Sequence, residues 1–263
     1  MDLGLQGSVV LVSGASRGIG LAIAAGFFAE GAKVALVARD AARLSEAARA
    51  IDPAGVRAVP VTADVSTDEG AARAFAEVEA QLGPVDVLVN NVGGSLGSGR
   101  FGDVSLEEFR RVLDVNLWSA VALSDHAVRS MKRPRDGSTD PRGGVILHVS
   151  SISAREYCSS APYAAAKSAL SGLTKEMAVD LAPYRIRVSA IAPGSILFDG
   201  GSWDRRSRET PERIEKMKRE ELPWGRFGTV EEVADVAVFL ASRRASWITG
   251  STIVVDGAQG RAL

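Results

Sequence analysis

The chain has 263 residues, 46% of them hydrophobic, and 31 lysines and arginines are balanced by 32 aspartates and glutamates for a net charge of −1. That apolar share suffices for a sizeable core, and the charge balance gives no bias toward nucleic acid. One cysteine, Cys158, and two histidines, His126 and His148, exclude an internal disulfide and a cysteine-cluster metal site, so no metal is expected.

Residues 1–7 lack the basic and apolar regions of a signal peptide, and no uncharged apolar run is long enough to span a bilayer. The expectation is a cytoplasmic protein without membrane contact. Residues 8–13 read as a strand that runs into Gly14-Ala15-Ser16-Arg17-Gly18-Ile19-Gly20, followed by an apolar helix over 21–30 and a second strand over 33–38. In that order the glycines form a phosphate-binding turn: they allow close backbone approach, and the helix N-terminus offers free N–H groups to a pyrophosphate.

NAD selection usually needs an acidic side chain at the end of the second strand, where this chain has Ala38. Arg39 follows, and Arg17 sits in the glycine turn, so two guanidiniums could converge on an adenosine 2′-phosphate. Together they favour NADP. Each alone would read as a solvated surface arginine, and Asp40, one place further on, keeps NAD open.

Further strands are expected near residues 56 and 85, then a long helix from about residue 106 that contains Asn116. Residues 132–144, rich in Pro, Gly and charge, read as a mobile surface loop at the amino edge of the sheet, away from any crevice. Residues 145–149 form a buried strand ending at Ser150 and Ser151; Ser151 reads as functional and Ser150 as structural. His148 on that strand reads as a satisfied core residue, and His126 as a helix residue. The Ala-rich stretch 161–173 reads as a helix that places Tyr163 and Lys167, at i and i+4, on one face.

A phenol titrates near ~10 and is a poor acid at neutral pH unless its anion is stabilised. An ammonium about 5 Å away, at an effective dielectric of about 20, supplies roughly 3 kcal/mol, or about two pKa units. By itself the pair could equally be a packed tyrosine beside a solvated lysine. After a strand near 186, residues 195–228 carry Phe198, Trp203, Trp224 and Phe227 with a charged helix over 211–222, before a last strand near 251. Strands and helices alternate without a linker. The fold class is α/β, a Rossmann-type doubly wound parallel sheet of about seven strands, in one domain over 1–263.

The series Gly14, Gly18 and Gly20; Asp64 in Ala63-Asp64-Val65; Asn90-Asn91-Val92-Gly93; Asn116; Ser151; Tyr163 with Lys167; and Pro193-Gly194 resembles the short-chain dehydrogenase/reductase superfamily over nearly the whole chain. Ser13 stands where that family usually has Thr, Val92 where it has Ala, and Ser151 lies one residue nearer Tyr163 than is commonest. The resemblance implies an NAD(P)-dependent oxidoreductase with NADP favoured. Tyr163 would be the acid, Ser151 would hold the carbonyl oxygen, Lys167 would also hold the nicotinamide ribose, and Asn116 would hold a water that links the lysine to solvent. A helix-interior Asn bonded to backbone is the alternative for Asn116.

The resemblance also implies that Ser16, Ile19, Asp64, Val65, Asn91, Gly93, Pro193, Gly194 and Ile196 contact the cofactor. Residues 195–228 would be a substrate lid, opposed by Ser153, Tyr157 and Cys158. A homo-oligomer, tetramer or dimer, is implied, with the helices around Asn116 and Tyr163 and residues 252–256 at interfaces. The likeness is greatest to 3-oxoacyl-thioester reductases, whose β-keto substrate rides on acyl carrier protein. Arg129, Lys132 and Arg133 could meet such an acidic carrier, although basic residues at a helix C-terminus also suit the helix dipole. A broad ketoreductase of free metabolites and a nucleotide-binding module without turnover are the other readings.

Overall fold

Short runs of valine, leucine and isoleucine, too brief for helices, become strands, the central ones buried on both faces and the two edge strands partly exposed. In the computed structural model, which describes residues 2–96, 99–134 and 138–262, they are β1 (Val9–Ser13), β2 (Lys33–Ala38), β3 (Ala58–Thr62), β4 (Val87–Asn90), β5 (Gly144–Val149), β6 (Ile186–Pro193) and β7 (Thr252–Val255). All pair in parallel in the order β3-β2-β1-β4-β5-β6-β7. Each expected strand is present. Pro60 lies in β3, an edge strand, where a missing ladder donor is tolerated.

The intervening helices are α1 (Gly18–Ala29), α2 (Ala41–Ile51), α3 (Asp68–Leu82), α4 (Leu106–Leu113), α5 (Ser119–Met131), α6 (Ala161–Leu181), α7 (Ser202–Glu209), α8 (Pro211–Glu220) and α9 (Val230–Ala241). Strand side chains alternate between two cores. Val10 and Val12 pack with Ile23, Phe27 and Val238 beneath α1 and α9, whereas Leu11 packs with Phe75, Leu123 and Met131 beneath α3 and α5. Chain order reverses between β1 and β4, and this is where an open α/β sheet forms its ligand crevice.

Three helices differ from expectation. α6 runs through Gly172 to Leu181, because burial of Leu170, Thr174, Ala178 and Leu181 outweighs the roughly 1 kcal/mol that an interior glycine costs. The long helix from residue 106 is two helices joined by a single π turn, Asp114–Trp118. The segment 195–228 holds a second helix, α7, besides the expected one; SWDRRSRE carries a single apolar side chain, Trp203, which packs on Phe227 with ring centroids 5.2 Å apart.

The 132–144 segment lies at the amino edge of the sheet as expected, with residues 135–137 outside the described ones, but its end is anchored. Arg142, only 9% exposed, pairs with Asp86 at 2.9 Å and donates to Val85 O at 2.7 Å and Ser130 Oγ at 3.2 Å. Asp86 in turn accepts from Val9 N at 2.9 Å, which ties the segment to β1. Removing the guanidinium strands those acceptors. Arg142→Ala is expected to lower unfolding stability by about 2 kcal/mol in urea titration, with the cleft's binding properties unchanged.

Candidate active site

The carboxyl ends of β1 and β4 are joined by two polar side chains. Ser13 Oγ donates to Val89 O at 3.2 Å and accepts from Asn91 N at 3.0 Å and Val92 N at 3.3 Å. Asn91 Nδ2 donates back to Ser13 O at 3.0 Å and Gly14 O at 3.2 Å. Gly14 has φ of +67°, and a Cβ there would lie 2.9 Å from Asn91 Nδ2; a Cβ at Gly20 would lie 2.5 Å from Gly14 O. Only glycine fits these two places.

α1 starts at this turn with no side-chain cap and no acid in its first turn, so its leading N–H groups are available to an anion. A cleft of about 930 Å³ opens over it. Gly14, Ser16, Arg17, Ile19, Gly20, Arg39, Asp64, Val65, Asn91, Gly93, Ser151, Tyr163, Lys167, Pro193, Gly194 and Ile196 all line it. Two expected residues do not. Gly18 sits beneath the ring of Phe198, 2.7 Å from where a Cβ would stand, and Asn116 stands behind Gly93 and Gly94. The glycine cradle, the uncapped helix and the flanking arginines fit a dinucleotide.

Asn116 owes its position to the π turn, a feature that often marks functional sites and has no simple sequence signature. Its Nδ2 donates to Val112 O at 2.9 Å and Gly94 O at 2.8 Å, and its Oδ1 accepts from Gly94 N at 2.9 Å. Both the helix-interior bond and a bridge to the loop after β4 are therefore made. A Cβ on Gly93 would meet Asn116 Oδ1 at 2.7 Å and Lys167 Nζ at 3.0 Å, so these two groups flank one glycine.

Lys167 is buried, and its Nζ donates to Val149 O, the last carbonyl of β5, at 2.8 Å. It lies 5.6 Å from the Tyr163 ring centroid. Ser150 is structural in geometry: its Oγ donates to Lys167 O at 3.3 Å and meets Ser171 Oγ at 3.2 Å. Ser151 Oγ accepts from Ser153 N at 3.1 Å and hydrogen-bonds the Tyr163 phenol.

Two expectations need correcting. Burial pushes the Tyr163 phenol above its ordinary value, the Ser151 hydrogen bond opposes this, and Cys158 adds to it. The lysine does not pull the phenol down, because burial also disfavours the ammonium, whose pKa falls to about 8. His148 is not a satisfied core residue: Nδ1 lies 3.3 Å from Asn90 Nδ2, but Nε2 has no partner among the described residues, and burial followed by the charge of Lys167 lowers its pKa to about 3. His126 is a helix residue as expected: it lies in α5 and stacks on Phe75 of α3.

At the other end of the cleft, Arg39 lies 3.7 Å from Asp64, and Arg17 donates to Gly200 O at 2.9 Å. Burial raises the Asp64 carboxyl, but hydrogen bonds from Ser66 and the charge of Arg39 outweigh it and hold the group below its ordinary value. Asp40 also lines this end, and its carboxylate caps α2, accepting from Arg43 N at 3.1 Å. Arg43 also lines this end, a neighbour that the N-cap spacing Asp40-x-x-Arg43 could have revealed. A second cleft of about 1200 Å³ shares Ser151, Tyr163, Trp203 and Arg205 with the first, and Ser153, Tyr157 and Cys158 form part of its wall as expected.

Depression of the Lys167 pKa from 10.5 to about 8 means that folding carries a penalty of roughly 3 kcal/mol while the amine is charged. That penalty is fully present below pH 8. Between about pH 8 and 10.5 the unfolded chain holds the proton and the folded one does not, so stability rises with pH. Lys167→Met should therefore be more stable than the natural chain at pH 7 by about 1–2 kcal/mol, after allowing for the lost bond to Val149 O. The gap should close by pH 10 in denaturant titrations.

Comparison with known proteins agrees with this geometry. A family model described as enoyl-(acyl carrier protein) reductase matches residues 14–258. A 3-oxoacyl-acyl-carrier-protein reductase of Aquifex aeolicus is 35% identical over 258 residues, covering 98% of this chain and 99% of the relative. Among solved structures, L-sorbose reductase from Gluconobacter frateurii, complexed with NADPH and L-sorbose, superposes with a TM-score of 0.89 at 34% identity over all of both chains. A 7α-hydroxysteroid dehydrogenase complexed with NADH and 7-oxo glycochenodeoxycholic acid gives 0.87 at 34% identity, covering 98% of this chain and 96% of that one. With the glycine turn, the Asn91 staple and the Ser151–Tyr163–Lys167 cluster in one cleft, these matches identify the chain as belonging to the short-chain dehydrogenase/reductase superfamily.

Proposed function

We propose that this protein is an NADP-preferring oxidoreductase that interconverts a carbonyl and a secondary alcohol, with 3-oxoacyl-thioester reduction as the leading reaction. The observation that carries the carbonyl chemistry is the convergence of Ser151, Tyr163 and Lys167 on a cleft that also contains the glycine turn. A nicotinamide cofactor held along that cleft by the glycine turn, Asp64, Asn91, Gly93 and the 193–196 stretch supplies or takes up the hydride. Ser151 donates a hydrogen bond to the substrate oxygen, and Tyr163 delivers the proton to it as negative charge develops.

The phenol is protonated at neutral pH, and because burial disfavours its anion it yields that proton only to a stronger base, such as the alkoxide that hydride transfer would form. Lys167 holds its proton to about pH 8, close enough to neutrality to pass one on, and Asn116 fixes the loop that flanks it. NADP preference is supported by Arg39 and Arg17 at one end of the cleft and by the engagement of Asp40 as a helix cap. Arg39 is 71% exposed, so its contribution is modest.

The thioester reading rests on similarity to the 3-oxoacyl reductase, not on the basic patch. Arg129 is paired with Asp125 at 2.9 Å, and Lys132 lies 4.0 Å from the Tyr184 ring centroid. A broad ketoreductase is the second reading, favoured by the width of the outer cleft. No helix among the described residues is long and apolar enough to cross a membrane. Assembly as a tetramer or dimer is supported by exposed Leu106 and Trp118 beside Asn116, and by Trp247 and Val254 near the C-terminus. Sedimentation velocity should show an oligomer, and a monomer at micromolar concentration would remove this part.

NADPH consumption with acetoacetyl thioesters and free ketones tests the reading directly. Tyr163→Phe should lower kcat by about 10²–10⁴ while nucleotide binding persists. Arg39→Ala should narrow the NADPH over NADH preference severalfold through KM. An unaffected Phe variant, or no oxidation of either nucleotide with any carbonyl, contradicts the assignment.

A further inference from the structure

The outer cleft, which shares Ser151 and Tyr163 with the nucleotide cleft, is walled on its far side by α7 and α8 and carries an uneven set of charges. Local pairs account for some of them: Arg205 with Glu209 at 3.9 Å and Lys216 with Glu220 at 3.9 Å. Arg100, Arg206 and Arg213 remain, without an ion-pair partner among the described residues, against the single carboxylate of Glu221. Arg206 is also held in place. Its guanidinium lies 4.9 Å from the Trp203 ring centroid, and Trp203 is itself packed on Phe227, so the cation is fixed to the small core of the segment.

A neutral ketone would make no use of three guanidiniums without an ion-pair partner around the mouth of its site. We infer that the substrate carries an oxyanion, a carboxylate or a phosphate, at the end remote from its carbonyl, and that Arg206 and Arg213, opposed by Arg100, form the subsite that receives it. Guanidinium forks suit both oxyanions, and the subsite leaves the reacting carbonyl at Ser151 and Tyr163. This rests on the carbonyl chemistry proposed above and specifies its substrate class. The arginines are positioning and specificity residues, remote from the reacting atoms.

The test compares matched ketones that differ only in charge. Methyl-ketone carboxylic acids of increasing length are set against their methyl esters, and acetoacetyl-phosphopantetheine against acetoacetyl-pantetheine. Assays use the full chain with excess NADPH, and the natural protein is compared with R206Q/R213Q and R206K/R213K. The anionic member of at least one pair should be preferred through KM. In R206Q/R213Q that preference should fall by roughly threefold to tenfold, with kcat and the neutral member unchanged, while R206K/R213K retains part of it and added salt erodes it. The pair that responds separates a carboxylate from a phosphate source. Equal use of charged and neutral members, or an equal loss for both in R206Q/R213Q, overturns the subsite. Calorimetric titration of the same pairs into nucleotide-saturated protein gives a readout independent of turnover: charge-selective binding without reduction would sustain the subsite and refute the carbonyl chemistry, and equal or no binding by both members would refute the subsite.

Discussion

The side chains that cross from β1 to β4 hold the functional end of the sheet together. Ser13 and Asn91 satisfy each other's backbone, and the amide of Asn91 occupies the space that Gly14 and Gly20 leave by having no side chain. From that joint the connection continues through Gly93 and Gly94 to Asn116, from Gly93 to Lys167, and from Lys167 to the last carbonyl of β5. A side chain at Gly14, Gly20 or Gly93 would meet an amide or ammonium group that is itself held in place. Ser13 performs this joining with a hydroxyl alone, which explains why serine serves where relatives usually have threonine.

Electrostatics in the cleft follow from burial more than from pairing. A phenol and an ammonium taken out of water each lose more from being charged than they gain from the other at this separation. The outcome is a neutral phenol beside a lysine that releases its proton near pH 8. Burial of Lys167 therefore carries a stability cost, and such costs are common where titratable groups line a cleft.

The segment over the cleft obeys different rules from the sheet. Its helices are short and strongly charged, and they rest on a small core of Ile214, Leu222 and Phe227 with Trp203 and Met217, separate from the two main cores. Its two ends are tied together by the Ile196–Gly228 bridge, and Phe198 packs over Gly18 of the glycine turn. A unit with so little buried surface of its own can differ in sequence without disturbing the sheet.

Local chemistry determined much of this protein before any folding. Runs of β-branched residues marked the seven strands, the glycine spacing marked the turn, and the four-residue interval put Tyr163 and Lys167 on one helix face. Asp40 was legible only as a charge near the cofactor end; its use as the cap of α2 depends on backbone direction. The π turn under Asn116, the anchoring of Arg142, the orphaned Nε2 of His148 and the extra helix α7 depend on contacts between residues far apart in the chain. So does the sign of the Tyr163 shift. Periodicity and residue type report what a segment prefers in water, whereas the protonation of a phenol or the fate of a polar atom depends on how much water the rest of the fold removes from around it.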